Sequence, residues 1–290
     1  MLNGVHLNSL VTLRLKSSIR LTILGLMMLL VNLLQGQRYF SGRNEWGVTG
    51  GFSNYYGDLS AGSRLGTNMG HYHPAFGGFY KYNFSSHFSL RNQITYMKIS
   101  GNTSGVVGRG FQNLTFQSEI YEFAPMIEFN FHPFGTNLRD GMVTPYVLTG
   151  PSIFYFNPTR LENEDIHLRN LNTEARKHPY SLIQPSIPLG FGVKTMTPPQ
   201  RGKGSLIVGL EIVWRKTFTD YLDDVSTSYG DFNSMKENQG LASAENGQAQ
   251  VLNGGQVVPA GTMRGDTHLK DWYYFVGLSL SYRFTPLICR

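Results

Sequence analysis

From Trp272 to Phe284 the chain reads W-Y-Y-F-V-G-L-S-L-S-Y-R-F. A strand sends alternate side chains to opposite faces. One face therefore carries Trp272, Tyr274, Val276, Leu278, Leu280, Tyr282 and Phe284. The other carries Tyr273, Phe275, Gly277, Ser279, Ser281 and Arg283. The first face is wholly apolar, aromatic at both ends and aliphatic in the middle. That is the profile of a strand facing lipid, with aromatic girdles at the two interfaces and a polar lumen behind it. A soluble sandwich also alternates, but rarely sets aromatics at both ends of its buried face.

The N-terminus has the form of a secretory signal. Arg14, Lys16 and Arg20 make a basic region, Leu21 to Leu34 an apolar one, and Gln35, Gly36 and Gln37 follow. The apolar run is too short to span a membrane as a helix, so residues 1–36 are expected to be a signal peptide cleaved near Gly36. That leader holds three of the 25 basic and none of the 19 acidic residues, which lowers the net charge from +6 to +3. The basic balance thus gives no reason to expect a nucleic-acid partner. No second long apolar run follows. The chain is 13% aromatic, holds 33 glycines and is only 15% charged, against about 25% in soluble proteins. This composition suits a membrane barrel better than a periplasmic enzyme. Cys289 is the single cysteine, so no intramolecular disulfide forms.

Eight segments are long enough to cross a bilayer at a barrel's tilt: roughly 45–56, 73–82, 88–99, 118–131, 144–156, 184–195, 205–216 and 272–284. The fourth sets Tyr121, Phe123, Pro125, Ile127, Phe129 and Phe131 against Glu122, Ala124, Met126, Glu128 and Asn130. The sixth and seventh alternate as clearly; the second and fifth are less clean, and prolines at 74, 145, 185 and 188 blur boundaries. Connections alternate in length. Short turns lie near 83–87 and 198–204, a longer one near 131–143, and long loops at about 57–72, 101–117, 157–183 and 217–271. The expected fold is all-β: an eight-stranded antiparallel transmembrane outer-membrane barrel over 37–290, with a side-chain-filled lumen. Its long loops face outward and its turns face the periplasm.

The lumen face carries Glu45, Arg91, Glu122, Glu128, Glu211, Arg215 and Arg283. An eight-stranded interior is just wide enough for its own side chains, and buried charges there must pair. The expectation is an internal charge network that stiffens the barrel; an acid–base pair for lumenal chemistry has no supporting spacing. Asp220, Asp223, Asp224 and Asp231 cluster after the seventh strand. Calcium uses such donors, but the spacing is not that of an EF-hand, and an ordered loop base is the plainer reading. His71 and His73 flank Tyr72 without a third ligand in view. Ser85, Ser86 and His87 share one short turn, and no G-x-S-x-G elbow is present. No catalytic residue, cofactor or metal is expected, and the protein is not expected to be an enzyme.

Four segments together carry a family resemblance: G-F-S-N-Y-Y-G-D-L at 51–59, F-A-P-M-I-E-F-N-F at 123–131, T-P-Y-V-L-T-G-P-S-I-F-Y-F-N-P at 144–158 and F-T-D-Y-L-D-D-V-S-T-S-Y-G-D at 218–231. In this combination the chain resembles the outer-membrane β-barrel component of the type IX secretion system, the PorG-type family. The likeness runs from about Glu45 to Phe284, and N-Y-Y-G-D-L and Y-L-D-D-V-S are its most specific parts. It implies a structural role beside a periplasmic ring built from a lipoprotein and its partner protein. That machinery exports proteins bearing a C-terminal sorting domain and, in gliding bacteria, serves surface adhesins. It implies no catalytic residue. The stretch at 237–265 departs from the pattern.

Ring contact has to come from the periplasmic side. His132, Arg139, Asp140, Arg201 and Lys203 are the exposed polar candidates there, with mere solvation of the turns as the equal alternative. The other surroundings expected are outer-membrane lipid and lipopolysaccharide. Two rival readings remain: an OmpA-like structural or adhesive barrel binding an external ligand, and a small lipid-modifying barrel enzyme.

Overall fold

Strict alternation of apolar and polar residues produces long strands, and hydrogen bonding between neighbours wraps them into a ring. The computed structural model describes residues 44–60, 71–103, 114–135, 142–161, 163–174, 176, 178–198, 204–231, 233, 258–266 and 270–284. The strands are β1 (Asn44–Tyr56), β2 (His73–Asn83), β3 (Phe88–Asn102), β4 (Thr115–Asn130), β5 (Val143–Thr149), β6 (Ser152–Arg160), β7 (Asn163–His167), β8 (Ile183–Met196), β9 (Ser205–Thr217) and β10 (Trp272–Arg283). One four-residue helix, α1 (Leu168–Leu171), follows β7. The expected leader, Cys289 and most of the 237–265 stretch lie outside the described residues.

The pairing order is β3-β2-β1-β10-β9-β8-β5-β4, and a further β3–β4 pairing closes it. Each pairing around the ring is antiparallel. First and last strands meet over twelve register pairs, from Glu45 opposite Arg283 to Tyr56 opposite Trp272. Closure leaves no free edge among the eight staves, which is what lets a sheet stand in lipid. At that seam Gly51 lies opposite Gly277. A Cβ on Gly51 would come within 2.2 Å of the Val276 carbonyl, so the strands approach as closely as they do only because both positions are glycine.

The expected fifth strand, 144–156, is divided: β5 and β6 occupy one stave, separated by Gly150 and Pro151. Proline has no N–H to give the ladder, and a Cβ at Gly150 would sit 2.2 Å from the Pro125 carbonyl. The register does not slip across the break. β4 pairs Ile127 with Thr149 and Phe123 with Ile153, and β8 pairs Leu189 with Thr149 and Ser186 with Ser152. The ring therefore has eight staves. β3 and β4 run on past the expected 99 and 118, closed by the Thr103 N–H donating to the Leu114 carbonyl at 3.0 Å. The alternation fades there because both faces are covered; Thr115 to Ser118 are all buried.

The outside of the ring is apolar. Val48, Phe76, Ile94, Ile127, Phe191, Leu210 and Leu278 are among its exposed residues. Aromatics flank this band at both ends: Trp46, Tyr80, Phe88, Phe131, Tyr282 and Phe284 toward the short turns, and Tyr56, Tyr121, Tyr155, Trp214 and Trp272 toward the long loops. An exposed apolar area of this extent has no place in water. A closed antiparallel barrel, apolar outside and charged inside, is a transmembrane β-barrel of the outer membrane.

Candidate functional site

Inside the barrel four carboxylates meet five cations. Nearest the short turns, Glu45 takes Arg283 Nη2 at 3.2 Å and Lys81 Nζ at 3.2 Å. Lys81 also donates to Glu128 at 3.0 Å, and Lys194 bonds the same Glu128 oxygen. At the next level Arg91 holds Glu211 in a two-pronged bond of 2.7 and 2.9 Å, and Tyr146 donates to Glu211 at 2.6 Å. Higher still Arg215 Nε lies 2.9 and 3.0 Å from the two oxygens of Glu122, which also accepts from Tyr273 at 2.8 Å. None of these charged groups is more than a few per cent exposed. Charges so removed from water are tolerable only when each is paired.

Rings fill what the charges leave. Arg91 lies 4.1 Å from the centre of the Phe79 ring, and Lys194 lies 4.8 Å from Phe134 and 4.9 Å from Tyr146. All seven lumen charges named from the sequence are in this network. Lys81 and Lys194 join them, and sequence reasoning left both out of the set. Their positions on the inward face of β2 and β8 were the available signal.

The turn after β4 folds back into its own barrel. Phe134 is buried between Lys194 and Arg283, whose guanidinium also reaches the Phe134 and Gly135 carbonyls at 3.4 Å. Gly135 permits this with φ near +76°, and a Cβ there would strike the Arg283 guanidinium. A phenyl ring thus closes the short-turn mouth. His132 is exposed beside it, while Arg139, Asp140, Arg201 and Lys203 lie outside the described residues.

The long-loop mouth is closed by a folded cap. Arg264 is fully buried and bonds Asp224 at 3.2 Å and Glu174 at 3.4 Å. Glu174 in turn accepts from the backbone N–H groups of Ser226 and Thr227 at 2.8 and 3.0 Å. Burial pushes the Glu174 carboxyl up, but Arg264 and these bonds outweigh it and hold it below its usual value. Three rings stack from the inner face of the wall: Phe156 on Tyr180 at 6.0 Å, and Tyr180 on Tyr221 at 4.8 Å, with Arg176 4.5 Å from the last ring.

On β1 the Tyr55 hydroxyl lies 2.5 Å from Asp223 and 3.0 Å from Asp271. One hydroxyl proton cannot serve two carboxylates, so one of the pair carries a proton of its own. Burial pushes both carboxyls well above the ordinary range, as that sharing requires.

Three acids of the cluster that follows β9 are therefore engaged inside the cap, while Asp231 is exposed. Asp220 accepts from Ser226 at 2.6 Å, Asp223 from Tyr55, and Asp224 from Tyr180 at 2.8 Å. Among the described residues no group of three or more His, Cys, Asp and Glu is arranged to hold a metal ion. His71 and His73 both bond the Ser100 hydroxyl, at 2.8 and 2.7 Å. Ser86 lies 3.1 Å from His87, whose ring stacks on Phe129.

Three solved structures share features with this chain at low identity. Ail, the attachment invasion locus protein of Yersinia pestis, is 12% identical with a TM-score of 0.38, over 84% of this chain and 99% of its own. Neisserial surface protein A is 10% identical with a TM-score of 0.40, over 83% and 97%. OprG of Pseudomonas aeruginosa is 9% identical with a TM-score of 0.36, over 83% and 97%. At scores of this size the likeness stands beside the barrel assignment rather than beneath it; the closed ring and the apolar exterior carry that assignment. None of the curated proteins compared matches the sequence. Residues 22–245 match the model of a domain of unknown function, DUF6089, and the chain belongs to that family.

Proposed function

We propose that the protein is a non-enzymatic outer-membrane component of the type IX protein secretion machinery that anchors or organises its periplasmic ring. The observation that supports this reading is the double closure of the barrel. Phe134 and Arg283 close one mouth, the Arg264 cap closes the other, and paired charges fill the space between. A barrel with no passage works through its two ends. The sequence resemblance at 51–59, 123–131, 144–158 and 218–231 points to the end that meets a ring lipoprotein and its partner. His132 stands at that end beside the exposed Phe131, and Arg139, Asp140, Arg201 and Lys203 belong to the same turns by sequence.

The test is a mild-detergent pull-down of tagged protein from outer membranes of its own cell. Recovery of the ring lipoprotein and its partner, weakened by charge reversal at Arg139 and Arg201, supports the role. A solitary barrel after crosslinking contradicts it. The ordered cap favours a second reading, an adhesive barrel presenting its cap to an external ligand. Loss of surface adhesion with secretion intact, on deletion of the cap, would favour that one.

A further inference from the structure

Side-chain rows climb the outer wall where β3, β4 and β6 lie side by side. Ile94, Phe123 and Ile153 align across the three strands, and all are exposed. Two residues further toward the long loops come Tyr96, Tyr121 and Tyr155, with ring centres 5.3 and 6.4 Å apart. Two further again come Lys98, Glu119 and Asn157. Rows two residues apart on a strand are separated by about 7 Å. The wall therefore passes from aliphatic to aromatic to ionic within about 14 Å, the succession a bilayer itself presents between acyl chains and headgroups.

At the ionic row the wall is hollowed by a cavity of about 380 Å³. Lys98, Glu119, Asn157 and His167 line it, and Tyr121 and Tyr155 border it toward the apolar band. The Tyr96 and Tyr121 hydroxyls donate to the two oxygens of Glu119 at 2.9 and 3.3 Å, which fixes the carboxylate at the membrane side of the cavity. The Asn157 amide lies 3.1 Å from His167 Nδ1. When that amide donates, the ring's proton sits on Nε2 as a second donor.

We propose that this cavity binds the headgroup of a membrane lipid bearing both a phosphate and a primary amine, that is, phosphoethanolamine chemistry. Lys98, Asn157 and His167 supply a cation and N–H donors for the phosphate, and the anchored Glu119 faces the ammonium. The acyl chains descend over Tyr121, Phe123 and Ile153. The volume suits a small polar group, and the open side lets the chains leave into lipid. A headgroup lacking the ammonium would set its phosphate in competition with Glu119 for Lys98, so the pocket selects a zwitterion over an anion.

Full-length protein in detergent, exposed in turn to dioleoylphosphatidylethanolamine, dioleoylphosphatidylglycerol, lipid A and phosphoethanolamine-modified lipid A, can be read by native mass spectrometry for retained adducts. Folding of every variant is checked by its heat-modifiable gel mobility. The wild type should retain phosphatidylethanolamine about fivefold better than phosphatidylglycerol, the scale of one exposed ion pair. Glu119→Gln should erase that preference, and Lys98→Gln should lower retention of both lipids. Retention of modified but not plain lipid A would assign the same chemistry to the glycolipid. Equal retention of both phospholipids by the wild type, preference for plain lipid A, or indifference of folded variants would overturn the proposal.

Discussion

Arg215 and Glu122 meet across the barrel lumen although 93 residues separate them in the chain, with Arg215 Nε 2.9 and 3.0 Å from the two carboxylate oxygens. The pair ties β9 to β4, which are not neighbours in the ring. Arg91 and Glu211 tie β3 to β9 in the same way. Side chains thus brace the barrel across its interior, while backbone bonds hold only adjacent staves.

Replacing one partner of such a pair leaves the other charge buried and unmatched. Arg91→Leu should lower stability by about 3–5 kcal/mol, seen as a lower unfolding temperature of the heat-modifiable band. Adding Glu211→Leu should restore much of the loss, because two apolar groups of similar volume need no partner. An equal loss in the double variant would argue against bracing by paired charge.

Phe134→Ala should cost about 3 kcal/mol, since a buried ring wedged between Lys194 and Arg283 leaves a hole at the short-turn mouth. Urea unfolding in detergent measures it. An unchanged midpoint would mean that the turn does not plug the barrel.

The cap should loosen as pH rises. Burial holds the folded carboxyls of Asp223 and Asp271 above their ordinary value. Between the ordinary and the folded value the folded cap binds more protons than the unfolded loops, so its stability falls with increasing pH. Glu174 has the opposite sign: its carboxyl lies below its usual value, and its contribution is lost on acidification through the folded value. Amide protection at Leu222 and Val225, with each exchange rate divided by the intrinsic rate at the same pH, should therefore be greatest at mildly acidic pH and fall above it. Asp271→Asn, which needs no shared proton, should flatten the alkaline limb.

Depth in the membrane follows from the girdles. In a variant with Trp46, Trp214 and Trp272 changed to Phe, a tryptophan placed at Leu210 or Ile94 should be quenched most by lipids brominated deep in the acyl chains. Trp46 retained alone should be quenched most by shallow bromines. The same depth profile at all positions would contradict the lipid-facing band.

The ring itself was legible because most staves have period two, and the inward parity of Glu122, Glu128, Glu211, Arg215 and Arg283 follows from that period alone. Lys81 was harder to see. The inward face of β2 carries Ala75, Gly77 and Phe79 before Lys81, so it does not read as a polar lumen face. The split fifth stave hid behind an unbroken register, since Gly150 and Pro151 interrupt hydrogen bonding without displacing the strand. Phe134 looked like an ordinary turn residue, because nothing local tells a ring facing solvent from one folded into a lumen. The cap was least legible. Arg264, Asp224 and Glu174 come from separate loops that lack periodicity, and only the closed barrel brings those loops together.

The central claim, a barrel with no passage, is tested most directly by ion conductance of the purified wild-type protein in a planar bilayer. An eight-stranded interior filled by Lys81, Arg91, Lys194, Arg215 and their carboxylates leaves no water column, and the account predicts a silent membrane at neutral pH. A stable, reproducible open level from folded protein would contradict it.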